Sequence, residues 1–331
     1  MLKTAIIGAG GIARKHAEAL LKIPDVQVVG VIDPNADNAN TIAAMCNAKV
    51  VSNIEELLSE LDMIHLLTPP SRRIEYAKPA MEAGKHVFCE KPIATDIADG
   101  NKLAKLAKEN NIIFMTAFNM RFRPGYLTLQ NDVLSGRLGE VVSVWSHRIG
   151  PGVGFNDSLG NSWRTEPGLV CGMTVESLSH DIDMFDGLGL KVESVAAWVT
   201  GSRPDLPDFD NNSQLLMRLK NGGSAVINAS WASHLAMSSR GVVGTRGTAV
   251  LDGTGFFDFM NYKVVTDGGE EVTHINDPFD NESYYTENLH FIDCVKSGKT
   301  PIVNEDSGVS ALKVSLAALK SAKNGNKLIS L

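Results

Sequence analysis

The strongest constraint on the fold is a run of small residues at the first turn of the chain. A β-branched, apolar segment, Lys3–Gly8, leads straight into Gly8-Ala9-Gly10-Gly11-Ile12-Ala13, and a helical pattern follows over Ile12–Lys22. This is Gly-x-Gly-x-x-Ala at a strand-to-helix turn, and each small residue has a physical reason. Gly8 permits the tight turn, Gly10 lets the backbone approach a pyrophosphate, and Ala13 lets the helix pack close to the strand. The free N–H groups and the dipole at the helix N-terminus favour negative charge there. Asp33 ends the second strand, about 20 residues beyond the motif, where a carboxylate accepts bonds from both ribose hydroxyls of an adenosine. It repels a 2′-phosphate, so the expected cofactor is NAD, with NADP disfavoured by Asp33. Taken alone, Asp33 also reads as a turn residue before Pro34.

The motif opens a regular alternation. Strand patterns at Lys3–Gly8, Val26–Asp33, Met63–Thr68, Lys85–Cys89 and Ile112–Phe118, with a short one at Lys49–Val51, interleave with helix patterns. The helices are expected at Ile12–Lys22, Ala36–Cys46, Ile54–Ser59, Ile74–Ala83 and Ile97–Glu109. Such alternation predicts βαβ units on a parallel sheet, and uninterrupted apolar runs such as Ile64–Leu67 suit strands covered on both faces. After about Phe122 the pattern changes. A helix is expected near Tyr126–Ser135, a strand at Val141–Ile149, a Gly-rich loop at Gly150–Gly160 and a helix at Thr174–Leu188. Longer alternating strands such as Ser213–Leu219 and Ser224–Trp231 follow, separated by turns at Asn221-Gly222-Gly223 and Asp267-Gly268-Gly269. Helices at Ser283–Ser297 and Asp306–Lys323 close the chain. The fold class is therefore α/β: a Rossmann-type doubly wound parallel sheet, then an α+β domain on a large, mainly antiparallel sheet. The expected domains are 1–120 for the dinucleotide and 121–331 for substrate binding and oligomerisation, with the last helices free to pack back on the first.

Composition narrows the class. With 331 residues, 44% apolar and 21% charged, the chain has ample core for two domains and is not a mainly disordered one. A net charge of −7 repels phosphate backbones, so no nucleic acid partner is expected. No apolar run reaches about 18 residues, so no membrane partner is expected. The first residues carry no long apolar stretch or small-residue cleavage site. Cys46, Cys89, Cys171 and Cys294 are far apart and form no Cys-x-x-Cys pair, so they read as reduced, buried thiols. The expected location is cytoplasmic. No metal is expected, because there is no His-Glu-x-x-His or zinc-like cysteine spacing, and no Gly-x-Ser-x-Gly elbow is present.

Cys89-Glu90-Lys91-Pro92 closes a predicted strand. Ligands of an open parallel sheet bind outside the carboxyl ends of the strands, which aims Lys91 at the nicotinamide region. Pro92 fixes the backbone after it, and an X–Pro bond is the one place where a cis peptide is common. The tripeptide alone reads as a surface turn. It does not stand alone: Thr68-Pro69-Pro70, Glu82-Ala83-Gly84-Lys85-His86-Val87, Glu90-Lys91-Pro92 and Asn119-Met120-Arg121-Phe122 occur together with the opening glycines. Trp163-Arg164, Pro167, Gly172 and the helix Glu176–Leu188 extend the set into the second half. The chain resembles, over nearly its whole length, the Gfo/Idh/MocA oxidoreductases: glucose–fructose oxidoreductase, inositol dehydrogenase and relatives.

That resemblance implies hydride exchange between a nicotinamide and a secondary hydroxyl or ketone of a sugar, inositol or related polyol. It implies cofactor contacts from Gly8, Gly10, Gly11, Ile12, Ala13, Asp33, Thr68, Pro69, Pro70, Glu90, Lys91 and Asn119. It also implies a homodimer or homotetramer formed through the open C-terminal sheet. Lys91 matches the family's lysine, and Glu176 with His180 its acid-x-x-x-His pair. Inositol dehydrogenase-like members often have Asp at the first position, so Glu176 is a departure. The frequent His beyond the Thr-Pro-x turn is replaced by Arg72 and Arg73, read as contacts either to cofactor phosphate or to solvent.

Four residues apart on a helix, Glu176 and His180 share a face, while Val175, Leu178, Ile182 and Phe185 suit packing on another. Removing a hydroxyl proton needs a base; histidine starts near pKa ~6.5 and lysine near ~10.4. His180 is the expected proton acceptor and Lys91 the group that polarises the same oxygen, with the reverse assignment open. Glu176 is expected to orient substrate hydroxyls, and Asp181 either holds substrate or caps backbone. Arg121, Trp163 and Arg164 are the remaining substrate-side candidates, each equally readable as interdomain packing. A redox-neutral enzyme that keeps NAD bound during sugar cleavage is the alternative function, and a non-catalytic nucleotide-binding regulator ranks last.

Overall fold

The computed structural model describes residues 1–152, 171–206, 208–277 and 281–331; Trp163, Arg164 and most of the Gly-rich stretch lie outside the described residues. By its packing the chain divides into two units: Met1–Asn119 with Asn281–Leu312, and Met120–Asp280 with Lys313–Leu331.

The first unit holds strands β1 (Leu2–Ile7), β2 (Val26–Ile32), β3 (Lys49–Val50), β4 (Met63–Leu66), β5 (His86–Glu90) and β6 (Phe114–Ala117). They alternate with helices α1 (Gly11–Leu20), α2 (Ala36–Cys46), α3 (Arg73–Glu82) and α4 (Ile97–Glu109). The six strands pair in parallel in the order β3-β2-β1-β4-β5-β6, the doubly wound order whose crevice opens between β1 and β4. Every residue of β4 and β6 is buried, as strands covered on both faces require. Helix α2 begins where the Asn35 side chain accepts from the Asp37 and Asn38 amides, and α4 where Asp96 accepts from Asp99. The expected helix at Ile54–Ser59 is instead a series of turns, in which the Leu57 amide donates to Ile54 and the Leu61 amide to Leu57. Ile54, Leu57 and Leu61 are buried all the same. The apolar spacing reported burial, and so short a segment cannot offset the cost of helix nucleation.

The second unit is built on α5 (Pro124–Leu134), β7 (Val141–Pro151), α6 (Met173–Glu176), α7 (Ser179–Gly187), and strands β8 (Val192–Thr200), β9 (Asn212–Leu219) and β10 (Ser224–Ser230). Strands β11 (Ala232–Gly244), β12 (Gly247–Gly253), β13 (Phe259–Thr266) and β14 (Gly269–Asp277) complete its main run. Helix α8 (Glu282–Ser297) returns to the first unit, α9 (Glu305–Lys323) leads from the first unit into the second, and β15 (Ile329–Ser330) ends the sheet. Among the described residues this sheet has nine strands in the order β14-β13-β12-β11-β7-β10-β9-β8-β15. Among these described strands only β7 and β10 pair in parallel. Alternation along β9 buries Ser213, Leu215, Met217 and Leu219 and turns Leu216 outward. No helix among the described residues is long and apolar enough to cross a membrane.

The single helix expected at Thr174–Leu188 is two helices broken at Ser177-Leu178. The cause lies far away in sequence. The Ser177 carbonyl accepts from the buried Arg148 guanidinium at 3.1 Å as well as from the His180 amide, and a side chain inserted into the ladder interrupts it.

Candidate active site

In the first unit the expected cofactor residues gather at the carboxyl edge of the parallel sheet. Gly8 follows β1, Thr68-Pro69-Pro70 follow β4, Glu90-Lys91 close β5, and Asn119 follows β6. Gly8 has φ +94°, and a Cβ on it would stand 2.7 Å from the Leu67 carbonyl carbon and the Thr68 nitrogen. Glycine is therefore obligatory where the β1 and β4 loops meet. At Gly10 and Gly11 an added Cβ would meet nothing within 4 Å among the described residues, which leaves the α1 N-terminus open to a ligand from that side. Among the described residues no side chain caps that terminus. This is the cradle a diphosphate needs, with backbone N–H groups as donors. Ile12 and Ala13 continue the first turn, with Ala13 fully buried. One Asp33 oxygen accepts from the Ala9 amide at 2.6 Å and the other from Asn35 at 2.8 Å, which holds the carboxylate at the mouth of the glycine turn.

The Lys91 loop is tied down from two sides. Arg73, which is buried, donates through Nη2 to the carbonyls of Thr68 at 3.3 Å and Lys91 at 3.2 Å, bridging the loops after β4 and β5. Arg72 is exposed and lies 3.8 Å from Glu75. Glu90 is buried; one oxygen accepts from the Lys91 amide at 2.9 Å and the other bonds His16 Nε2 at 3.1 Å. Burial opposes its charge, but the His16 bond and the nearby Lys91 and Arg73 cations outweigh it and keep the Glu90 carboxyl below the usual range. The Lys91-Pro92 bond is cis. Asn119 donates to Ser283 Oγ at 3.1 Å, anchoring the loop after β6 to α8.

In the second unit Glu176 ends α6 and His180 lies in the first turn of α7, both buried. Because the helix breaks between them, the regular i,i+4 face expected from spacing does not exist there. Asp181 is held by side chains: Ser146 Oγ at 2.7 Å, Arg148, and Arg240 Nε at 3.4 Å. Arg148 and Arg240 are buried on inward positions of β7 and β11, their guanidinium groups against Phe256 and Phe259. Burial lowers both, Arg240 to about 10, while Asp181 supports their charge. Arg121 donates to the Asp183 carbonyl at 3.0 Å and its carboxylate at 3.3 Å. Burial raises Asp183 to about 7 against the pull of Arg121.

Sequence reasoning read Arg73, which is buried and bonds the Thr68 and Lys91 carbonyls, as a contact to cofactor phosphate or solvent. It missed His16, Asn288, Glu287, Arg148 and Arg240. Two of these carried a signal. Ala13, His16, Ala17 and Leu20 follow the i, i+3, i+4, i+7 spacing of the buried face of α1, and Arg148 continues the inward alternation of Val144 and Ser146.

Residues 2–118 match an oxidoreductase family domain described as an NAD-binding Rossmann fold, and residues 131–330 match its C-terminal alpha/beta domain. The chain is 25% identical to the scyllo-inositol 2-dehydrogenase (NAD(+)) of Bacillus subtilis, covering 98% of this chain and 95% of that one. It is similar to the crystal structure of myo-inositol 2-dehydrogenase from Lactobacillus plantarum, with a TM-score of 0.83, 25% identity, and 100% and 99% of the two chains covered. A levoglucosan dehydrogenase in complex with NADH and levoglucosan shares the fold at a TM-score of 0.88 and 20% identity, covering 100% and 99%.

Proposed function

Since the chain belongs to the Gfo/Idh/MocA oxidoreductase family, we propose that Lys91 and His180 serve the proton side of its hydride transfer. The protein is an NAD-dependent dehydrogenase or reductase acting on a secondary hydroxyl or ketone of a sugar, inositol or related polyol. NAD, when bound, supplies the hydride acceptor. His180 takes the hydroxyl proton, because a neutral imidazole titrates near working pH, and the Lys91 ammonium polarises the same oxygen and stabilises its developing negative charge. Glu176 orients neighbouring hydroxyls, with Trp163 and Arg164 as further substrate-side groups; Asp181, bonded to Ser146, Arg148 and Arg240, and Arg121, bonded to Asp183, serve as supports rather than substrate contacts. Residues 1–120, with Asn281–Leu312 packed in the same unit, bind the dinucleotide, and the remainder of 121–331 binds substrate and carries the oligomer interface.

The observation that carries this reading is the carboxyl edge of the parallel sheet. There an open helix N-terminus, the Asp33 carboxylate and the doubly anchored Lys91 loop lie together. The test is a panel of inositols, sugars and sugar acids followed by NADH absorbance. A dehydrogenase releases NADH in proportion to product, whereas an enzyme that re-reduces its substrate releases none. With the best substrate, Lys91→Ala and His180→Ala should each lower kcat at least ~100-fold with NAD binding intact. Near-normal turnover in either variant overturns the assignment.

Four buried cysteines, none of them in a disulfide, fit a reducing cytoplasm. The outward face of the nine-stranded sheet is the surface on which copies of the chain pair into a dimer or tetramer.

A further inference from the structure

A chain of buried hydrogen bonds crosses the first unit and ends on the Lys91 main chain. Thr4 Oγ1 and His65 Nδ1 are 2.8 Å apart; His65 Nε2 and Asn288 Oδ1, 2.9 Å; Asn288 Nδ2 and His16 Nδ1, 2.9 Å. His16 Nε2 and Glu90 Oε1 are 3.1 Å apart, and the Lys91 amide donates to Glu90 Oε2 at 2.9 Å. The side chains of Thr4, His16, His65, Glu90 and Asn288 are all buried.

The direction of every bond follows from one anchor. Asn288 Nδ2 also donates to the Tyr284 carbonyl at 2.7 Å, so that atom is the amide nitrogen and its partner His16 Nδ1 is an acceptor. His16 Nε2 then carries the proton and donates to Glu90. On the other side Asn288 Oδ1 accepts from His65 Nε2–H, which leaves His65 Nδ1 to accept from the Thr4 hydroxyl. Each bond in the chain then has one donor and one acceptor. Burial holds His65 down near 3, consistent with a neutral ring. Glu90 is left as the anionic terminus, accepting from His16 at one oxygen and from Lys91 at the other. The neighbouring Glu287 shows why the charge sits on Glu90. Glu287 is equally buried, yet neither of its oxygens has a hydrogen-bond partner among the described residues.

We infer that His16 is a positioning residue for hydride transfer: acting through Glu90, it locks the Lys91 main chain to α1, the helix whose N-terminus receives the cofactor diphosphate. The inference rests on Lys91 acting at the reacting oxygen. His16 belongs to α1, which packs on α8, and its ring meets Phe88 and Tyr284 edge-on at 5.1 and 5.4 Å, so it cannot swing away from Glu90 without disturbing the core. The cofactor cradle and the Lys91 loop are thus held to one frame. Lys91 is placed by two main-chain ties, the Arg73 bond to its carbonyl and the Glu90 bond to its amide, and His16 sets the second.

The test combines turnover, measured with NAD and the polyol of highest turnover in the panel above, with amide hydrogen exchange at Lys91. His16→Leu fills the space but donates nothing; His16→Gln keeps an acceptor for Asn288 and a donor for Glu90. Glu90→Gln keeps size and shape, but whichever way its amide turns, a donor faces a donor. His16→Leu and Glu90→Gln should each lower kcat about 10-fold or more, shift KM less than about 3-fold, and speed exchange at the Lys91 amide about 10-fold. His16→Gln should stay within about 3-fold of the parent in all three. In a Lys91→Ala background, His16→Leu should cost less than a further 3-fold or so, as coupled residues do. Parental exchange and kcat in His16→Leu and Glu90→Gln overturn the inference, as does an undiminished loss in the Lys91→Ala background. Should His16→Leu not fold, Glu90→Gln decides alone. Lys91→Ala with parental kcat would instead remove the underlying reading of Lys91, a separate result.

Discussion

Asp33 is the residue on which cofactor choice turns. Its two oxygens already accept the Ala9 and Asn35 amides, so its orientation is fixed before any ribose arrives. Asp33→Ser removes the charge and one acceptor, and each charge-assisted bond is worth about 1.5–3 kcal/mol. The ratio of kcat/KM for NAD over NADP should fall by about 10- to 100-fold, read from initial rates with each cofactor. An unchanged ratio would mean that the carboxylate serves only the turn. Glu287 carries a different expectation. Burial first, and then the Glu90 charge, push its carboxyl well above the ordinary range, so the folded protein holds this proton where the unfolded chain has released it. Stability contributed by that proton is present at low pH and is lost as pH rises from the unfolded carboxylate range through the raised folded value. Glu287→Gln should therefore raise Tm relative to the parent at pH 8, by roughly 2–4 °C, and by less at pH 5. Equal shifts at both pH values would contradict a buried neutral acid. Asp33 was legible because its place after β2 is set by a local motif. Glu287 was not, because helical spacing shows that it faces the core but not that the core there offers no donor.

At the scale of elements, the glycine turn separates two kinds of necessity. Gly8→Ala would set a Cβ 2.7 Å from the Leu67 and Thr68 backbone at φ +94°. Such a residue is strained by about 1–3 kcal/mol before the clash is counted. It should lower Tm by several degrees and abolish NAD binding. Gly10→Ala meets nothing within 4 Å, so Tm should stay within about 1 °C, while NAD binding weakens because the new methyl stands before the helix N-terminus. Thermal shift with and without NAD tells the two apart, and a Gly8→Ala variant as stable as the parent would refute the backbone argument. The alternation of this unit was readable for local reasons. Helices α2 and α4 run over the expected Ala36–Cys46 and Ile97–Glu109, each behind a side-chain cap, Asn35 and Asp96. The break between α6 and α7 was not readable, because it is made by Arg148, a residue from β7 that enters the ladder at Ser177. Local pattern gives helices, and contacts between distant segments decide where they stop.

At the scale of the whole molecule, the nine-stranded sheet leaves one face to be covered. Register places Ala196, Leu216, Val226, Trp145, Gly241, Val250, Lys263 and Val272 in one cross-strand row running from β8 to β14. The opposite parity, Met217, Ala225, Val144, Val242, Ala249 and Val264, is buried. Trp145 lies across Gly241, where any Cβ would strike its ring at 2.2 Å, so the row, apolar except at Lys263, is flattened there. Leu216 and Trp198, on this same face, are 53% and 52% exposed, and large apolar side chains left in water together mark an interaction site. A second copy meeting it about a two-fold axis would present every side chain twice. Replacing Leu216 and Trp198 with glutamate therefore removes four apolar anchors and brings four charges together. At about 1.5–3 kcal/mol for each buried apolar side chain, the transfer loss alone approaches the affinity of a stable dimer. Light scattering after size exclusion should show the parent as a multiple of 35.6 kDa and the double variant at that mass, with NAD binding retained. A double variant that keeps the parental mass would move the interface off this face.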